Sequence, residues 1–553
     1  MGSFNPKDYD YVVGIDFGTT YSGCSFAFTG VSNQEIEDIT KWPKQTSNFY
    51  SKTPTVLLYE VGAATTEWWG ENAHKNFWFS RGYLTKRLIT RFKLLLNNDE
   101  SVPELPPGLE IEGVIRDYLK GFNGFVASHL SKTLGSIYNE EKVRYCLTVP
   151  AGWTDHAKII MRNAAIEAGI IRLNDHPERL TLISEPEAAA LYCQQHCDEF
   201  DLSDGEQFLI CDAGGGTVDL VVFEIEGDGS NRQLKEITTA RGENCGSTFL
   251  DVKMQALLKA RIDKHIPINP ITLEEMTKSF IENHKPNFGE EDFDNDIHFD
   301  VPSVICREDE EKLKLIGIED HKLSFLEQEL KDHVFEPVIS RIIQLINQQL
   351  QHPESKKPMS AMFMVGGFSQ SPYLQKRIRQ EFEGRINLIS VAPRGELAIV
   401  RGAVLLGIQP NIVSQRIAKY TYGIQTRDYY DPLRDPQKFR LAGTEFCDVR
   451  FMTIVKKNQK LPNNHVVSQV YTINRSIPTR IAIYAYDNDD IIPRWTISEK
   501  GIEVKKVGEF ILDVPADVDY SGREDQPLQV DFYFGTTEIK VVLDETTTFT
   551  LAY

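Results

Sequence analysis

Asp16 and Asp212 occupy matching places in the sequence. Each closes a short apolar run, Tyr11-Val12-Val13-Gly14-Ile15 in one case and Phe208-Leu209-Ile210-Cys211 in the other. Each is followed by glycine and hydroxyl residues, Phe17-Gly18-Thr19-Thr20 and Ala213-Gly214-Gly215-Gly216-Thr217. A carboxylate at the end of a buried strand, beside a turn whose backbone N–H groups no Cβ shields, can take part in holding a phosphate and its Mg²⁺. Thr19, Thr20 and Thr217 add hydroxyl donors, and Asp16 and Asp212 would hold the metal mostly through water. A tight turn that needs glycine explains either stretch taken alone. Two of them 196 positions apart, with a third Gly-Gly turn at Gly366-Gly367, favour a clamp on a polyphosphate. The run Gly242 to Thr248, which contains Gly246, lacks the Gly-Lys pair of a Walker loop.

The elements that must position these turns follow from the hydrophobic period. Strand-like runs alternate with helical patterns, among them His156 to Gly169 with Thr154 or Asp155 as N-cap, so the first 408 residues read as α/β. The spacing of the two aspartates suggests two related lobes, about 9–204 and 205–408. Leu250 to Leu350 reads as mainly helical, with a long pattern from Phe325 interrupted at Pro337 and an acidic loop from Gly289 to Asp296. A strand at Ala361 to Val365 and helices at Pro372 to Phe382 and Gly395 to Ile408 follow. Beyond a boundary near Gln409-Pro410-Asn411 the period becomes two. Runs at Arg450 to Val455, Val466 to Ile473, Arg480 to Tyr484, Glu509 to Val514, Gln529 to Phe534 and Glu538 to Leu543 make 409–553 an all-β sandwich.

Composition bounds the function. The chain has 553 residues, 41% hydrophobic and 25% charged, which is a folded multidomain balance. Its 60 basic against 80 acidic residues give a charge of −20, an argument against nucleic acid or an anionic membrane as the main partner. No apolar run could span a bilayer, and Met1-Gly2-Ser3-Phe4-Asn5-Pro6 has neither a signal pattern nor the hydroxyl residue that myristoylation wants. Eight cysteines without a framework of spacings fit reduced thiols and a cytoplasmic location, with Cys193 and Cys197 as neighbours on a helix rather than a metal pair.

Five motifs in order carry a resemblance: Val13 to Ser22, Ser184-Glu185-Pro186-Glu187-Ala188-Ala189-Ala190, Asp212 to Asp219, Val365-Gly366-Gly367-Phe368-Ser369 and Arg401-Gly402-Ala403-Val404. Their order is that of the actin-like ATPases, and the chain most resembles the heat-shock seventy, DnaK-type chaperones. Phe92-Lys93-Leu94-Leu95-Leu96 and Leu147-Thr148-Val149-Pro150-Ala151 are spelled like its divergent member-twelve branch. The resemblance implies two ribonuclease-H-like lobes with ATP or ADP and Mg²⁺ between them. It implies metal organisation by Asp16 and Asp212, and carboxylates beside the attacking water at Glu185 and Asp219. It implies cofactor contacts at Gly18, Thr19, Thr20, Tyr21, Gly214, Gly215, Gly216, Thr217, Gly246, Gly366, Gly367 and Phe368. The family's γ-phosphate lysine has two candidates, Lys86 and Lys93, of which Lys93 is preferred.

The sequence also departs from that family. Pro286, in Phe280-Ile281-Glu282-Asn283-His284-Lys285-Pro286, falls near the arginine that clamps adenine in mainstream members. Phe368 and Gln370 replace a serine and an arginine, and the acidic residue expected near Ala392-Pro393-Arg394 is missing. The sandwich resembles the family's peptide-binding domain through Tyr422 to Thr426, Val455 to Pro462 and Val507 to Pro515. No helical lid is expected after it, and Ile412 to Ile417 lacks the acidic, leucine-rich character of the family's coupling linker. The expectation is an ATP-binding, slowly hydrolysing chaperone-like protein with extended or unfolded polypeptide and co-chaperones as partners. The alternative is a nucleotide-dependent sensor or scaffold with little turnover. A sugar or polyol kinase on the same fold leaves the sandwich unexplained.

Overall fold

The apolar runs that end in aspartate become fully buried strands, each turned back at its glycines into an antiparallel partner. The computed structural model describes residues 6–30, 35–45, 50–79, 85–97, 104–197, 199–290, 296–463, 465–473, 479–488, 491–499, 501–512, 526–543 and 547–550. The readings on residues 1–5, on most of the acidic stretch 289–296, on 513–515 and on the last three residues lie outside them.

Strand β1 (Tyr11–Phe17) pairs with β2 (Tyr21–Phe28), which sets Asp16 opposite Gly23. Strands β3 (Ile36–Asp38) and β4 (Thr53–Pro54) both pair with β2. Strands β5 (Val56–Glu60) and β6 (Lys86–Thr90) make a small separate sheet with helix α1 (Gly70–Phe79) between them in sequence. Helix α2 (Ile111–Leu134) precedes β7 (Val143–Val149), which runs parallel to β1. Helix α3 (Asp155–Glu167) precedes β8 (Leu180–Ser184), which runs parallel to β7. Thr154 caps α3 by accepting the Ala157 N–H at 3.3 Å. Tyr118, Phe122 and Met161 from these helices share a core with Val13, Ile15 and Leu147. Both faces of the sheet are covered, which is why β1 and β7 show no polar alternation.

Helix α4 (Glu185–His196) leads to a second sheet that repeats the arrangement. Strand β9 (Gln207–Ala213) pairs antiparallel with β10 (Val218–Glu226), Asp212 opposite Asp219, while β11 (Gln233–Glu236) and β12 (Arg241–Glu243) pair with β10. Helix α5 (Thr248–Ile262) follows. The stretch expected to be mainly helical also carries a three-stranded sheet, β13 (Asp296–Asp300), β14 (Ile318–Glu319) and β15 (Lys322–Leu326). Their core residues Ile297, Phe299, Leu323 and Phe325 alternate too briefly to register as strands against the helical text around them. The long pattern from Phe325 changes at Pro337: helix Glu327–Leu330 passes through a π-helical turn, Lys331–Phe335, before helix Glu336–Leu350, which has Pro337 in its first turn. Strand β16 (Met359–Val365) is parallel to β9 with Val365 opposite Asp212, and β17 (Ile386–Val391) is parallel to β16. The two sheets are joined by one core in which Val12 and Cys146 of the first meet Ile210 and Val221 of the second, through α4 and helix Ala398–Ile408.

Strand β18 (Val413–Ile417), in the stretch read as a linker, is parallel to β11, and β21 (Lys460–Pro462) pairs with β18, so the second sheet runs on past residue 409. Between them in sequence come β19 (Thr421–Tyr429) and β20 (Phe446–Val455), followed by β22 (Val466–Ile473), β23 (Thr479–Tyr486), β24 (Lys505–Leu512), β25 (Gln526–Tyr533), β26 (Lys540–Leu543) and β27 (Thr547–Thr550). They form two four-stranded antiparallel sheets, β20-β19-β23-β24 and β22-β25-β26-β27. Ile424, Ile483 and Phe510 of one share a core with Val530, Phe532 and Val541 of the other. Among the described residues no helix is long and apolar enough to cross a membrane.

Candidate functional site

The strand ends bring four carboxylates and two ammonium groups together. Asp16 lies at the end of β1, Asp212 at the end of β9, Asp219 near the start of β10 and Glu185 in the first turn of α4, and all four are buried. Lys93, in the short 3₁₀ helix Phe92–Asn97, is also buried and donates to Glu185 Oε1 at 2.8 Å, with the Phe17 and Trp153 rings 5.6 and 5.3 Å from its nitrogen. Asp219 Oδ1 accepts the Gly152 N–H at 3.1 Å, and its Oδ2 is buried without a hydrogen-bond partner. Lys86 stands elsewhere: it lies on β6, 3.5 Å from Glu60, with its nitrogen over the Trp68 ring.

The glycine turns converge on the same place. A methyl group on Gly215 would lie 2.4 Å from Thr20 Oγ1, so the first two turns face each other in contact. The N–H groups of Gly246, Ser247 and Thr248, at the start of α5, donate to the carbonyls of Gly216, Gly214 and Gly215 at 2.9, 3.1 and 2.8 Å. The Gly214 N–H in turn bonds the Thr217 carbonyl at 3.0 Å. Gly366 has φ +85°, and any side chain there would press on the Ala213 carbonyl and Asp212 Oδ1. Gly367 follows and caps a single turn in which Phe368 is buried in the core. Tyr21 is exposed at the mouth, its ring 4.7 Å from that of Tyr50, and the Tyr50 hydroxyl reaches toward Gly367.

Sequence reasoning missed Lys52. Its ammonium sits 2.5 Å from Asp16 Oδ2 and both side chains are buried. The signal that points to it is a lysine inside Ser51-Lys52-Thr53-Pro54-Thr55-Val56-Leu57, a stretch that otherwise reads as buried strand, where a charge needs a partner. Burial works against the charge on Lys52, but Asp16, Tyr50 and Asp212 outweigh it and hold the lysine above its usual range. Burial also pushes Asp212 well above the usual carboxylate range, with Glu185, Asp219 and Asp16 adding to it and Lys52 opposing. Glu185 is raised by burial, against the pull of Lys93. Asp219 is raised by burial, against the Gly152 hydrogen bond.

The donor set suits a hard cation held through water and phosphate oxygens, with the orphaned Asp219 Oδ2 pointing to a missing partner. Among the described residues no group of three or more His, Cys, Asp or Glu side chains forms a metal-ligand cluster, and Asp16 Oδ2 already has a cation beside it. Phe280–His284, in the stretch that the resemblance matched to the adenine-clamping helix, is a π-helical turn. Lys285 behind it is tied to Ser247 O at 3.1 Å and Asp251 Oδ1 at 2.7 Å.

The carboxy-terminal strands meet the back of this site. Arg416 on β18 forms a two-pronged pair with Glu187 at 2.6 and 3.0 Å, two residues after Glu185. The Ile417 N–H donates to buried Glu236 Oε2 at 3.1 Å, and Lys419 donates to the Gly152 carbonyl at 2.6 Å. Tyr422 and Glu538 bond Asp155 and Arg162 of α3. A cavity of about 110 Å³ lies at this junction, lined by Pro150, Glu187, Glu236, Arg416 and Lys419 among others.

Comparison with known proteins finds likeness along nearly all of the chain. Heat shock 70 kDa protein 12A of Mus musculus is 25% identical over 624 residues, covering 97% of this chain and 90% of that protein. Heat shock 70 kDa protein 12B of Homo sapiens is 26% identical, covering 98% of this chain and 90% of its own. The mitochondrial iron-sulfur cluster biogenesis chaperone of Saccharomyces cerevisiae is 25% identical over 89% of this chain and 76% of its own length. A family model described as "Domain of unknown function (DUF8340)" matches residues 201–391.

Proposed function

We propose that this chain, which resembles the divergent member-twelve branch of the heat-shock seventy family along nearly its full length, is an ATP-binding, chaperone-like protein. The supporting observation is the assembly of Asp16, Lys93, Glu185, Asp212 and Asp219 at the strand ends where three glycine turns meet. In this reading residues 1–408 are the nucleotide-binding domain, with lobes of about 9–204 and 205–408 repeating one strand plan. Residues 409–553 are a β-sandwich that holds extended polypeptide.

The first two turns offer backbone N–H and threonine hydroxyl groups to the phosphates, and Lys93 supplies positive charge toward the γ-phosphoryl group. Mg²⁺, held through water on the Asp212 side of the group, would supply charge neutralisation on the phosphate oxygens, while Asp16 already carries the Lys52 ammonium. Glu185 and Asp219, carboxylates raised by burial, orient the attacking water and accept its proton. Hydrolysis is expected to be slow. A second reading is favoured by one observation, the Lys52 ammonium already on Asp16: a nucleotide sensor with little turnover. Phosphate release by purified protein, with and without unfolded polypeptide, tests both. Steady release that polypeptide accelerates supports the chaperone reading, and binding without release supports the sensor.

A further inference from the structure

Lys52 reaches Asp16 because the fold clears a path for it. In the β1–β2 ladder the residue opposite Asp16 is Gly23, which has no side chain. Strand β4 pairs Thr53 with Ser22 and so sets Lys52 alongside Gly23, where a methyl group would lie 2.9 Å from Lys52 Cγ. The lysine stem crosses the empty position and ends 2.5 Å from Asp16 Oδ2. A buried ion pair is costly to assemble unless its geometry is fixed. Here strand pairing, the glycine and burial fix it together, so the contact is built into the fold.

The pair sits where charge is most needed. Asp16, Glu185, Asp212 and Asp219 are all buried here, Asp219 Oδ2 has no partner, and the first two glycine turns touch through Thr20 and Gly215. We propose that Lys52 is an internal cation of the phosphate site that takes the place of divalent metal at Asp16, so that polyphosphate binds there with only a weak need for metal. The proposal rests on the nucleotide reading above and adds to it how the site is balanced. An ammonium is a compact point charge that hydrogen-bonds a carboxylate and a phosphate oxygen at once. Metal would then belong on the Asp212 side, and Asp16 keeps the lysine. The ligand class follows: nucleoside di- and triphosphates whether or not they carry Mg²⁺.

Calorimetry of ATP binding in Mg²⁺ and in excess EDTA, for the wild type and Lys52→Met, tests this. The wild-type Kd is expected to differ by less than about tenfold between the two conditions. Lys52→Met is expected to lose about tenfold to a hundredfold in EDTA, the range of one charge-assisted hydrogen bond, and to recover in Mg²⁺, which can then occupy Asp16. A second measurement needs no nucleotide: Mn²⁺ titration of the free protein, read by electron paramagnetic resonance. Lys52→Met is expected to gain a Mn²⁺ site that the wild type lacks. If Lys52→Met does not fold, the double variant Asp16→Asn/Lys52→Met leaves neither half of that ion pair unpartnered and is expected to lose ATP in EDTA to the same extent. Wild-type binding abolished by EDTA, or Mn²⁺ binding equal in wild type and Lys52→Met, overturns the proposal. ATP bound by neither protein in either condition overturns instead the nucleotide reading, and the Mn²⁺ titration still decides what Lys52 does at Asp16.

Discussion

Asp219 and Lys419 hold opposite ends of one residue. The Gly152 N–H donates to Asp219 Oδ1 at 3.1 Å, and the Gly152 carbonyl accepts from Lys419 Nζ at 2.6 Å. Asp219 belongs to the buried carboxylate group, while Lys419 lies two residues beyond β18. Glu185 and Glu187 repeat the relationship on α4, the first paired with Lys93 in the site and the second with Arg416 on β18. Ile412 to Ile417 lacks an acidic linker's sequence, yet it is paired into the second sheet, and its Arg416 is tied to Glu187, two residues from Glu185.

If Gly152 carries the state of Asp219 to β18, cutting the far tie separates the two ends. Lys419→Met is expected to leave nucleotide affinity within about threefold and to abolish the nucleotide-dependent change in hydrogen exchange of the β18 amides, a coupling of about 1–3 kcal/mol. Exchange in Lys419→Met that still tracks nucleotide as in the wild type rules the relay out.

The two lysines weighed from the sequence differ in surroundings. Lys93→Ala strands Glu185 as a buried unpaired carboxylate and is expected to cost about 3 kcal/mol of stability. Turnover should fall by about a hundredfold, as when a preorganised donor is removed. Lys86→Ala breaks a pair whose glutamate, Glu60, is 57% exposed, so a change under about 0.5 kcal/mol and unaltered turnover are expected. Denaturant unfolding and phosphate release read both effects. A larger loss at position 86 would move the active lysine there.

The parts of the fold legible in the sequence were those with a strong local period. Tyr11–Phe17, Gln207–Ala213 and Val466–Ile473 read as strands, and Pro372–Phe382 as a helix, because burial on one or both faces writes itself into the pattern. Strands β13 to β15 did not, because two to five residues of alternation vanish between helices. In the site, glycine and aspartate announce themselves through turn chemistry. Lys52 and Gly152 do not, since their roles depend on Gly23 standing across the ladder and on a carbonyl facing Lys419. Pairings that distant in sequence leave no spacing to read.

Two groups at the β18 junction set opposite pH windows. Burial, with Glu187 adding to it, pushes Glu236 from 4.5 up to about 8. A folded-state value above the unfolded one means stability present at low pH and lost as pH rises from 4.5 through 8. Burial, with Lys158 adding to it, lowers Lys419 from 10.5 to about 8, so stability is regained as pH rises from 8 to 10.5. The melting temperature is therefore expected to pass through a minimum near pH 8. Glu236→Gln should remove the acid limb of that minimum and Lys419→Met the alkaline one. A wild-type profile that is flat or highest at pH 8 contradicts both assignments.

Gly366 offers a way to disturb Asp212 without touching its charge. The residue has φ +85°, a conformation that costs a side-chain-bearing residue about 1–2 kcal/mol. A methyl group there would also lie 2.5 Å from the Ala213 carbonyl and 2.7 Å from Asp212 Oδ1, so the β9 strand end must shift. Gly169, with φ +78° and nothing within 4 Å of its missing Cβ, is the control for backbone strain alone. Gly169→Ala is expected to lower stability by about 1 kcal/mol and leave nucleotide affinity unchanged. Gly366→Ala is expected to cost about 2–3 kcal/mol and to weaken nucleotide affinity about tenfold or more, because Asp212 is displaced from the group it shares with Asp16 and Asp219. Denaturant unfolding and calorimetry of both variants separate the strain from the clash. Equal affinities in Gly366→Ala and Gly169→Ala would mean that the third glycine turn shapes the strand end without serving the phosphates.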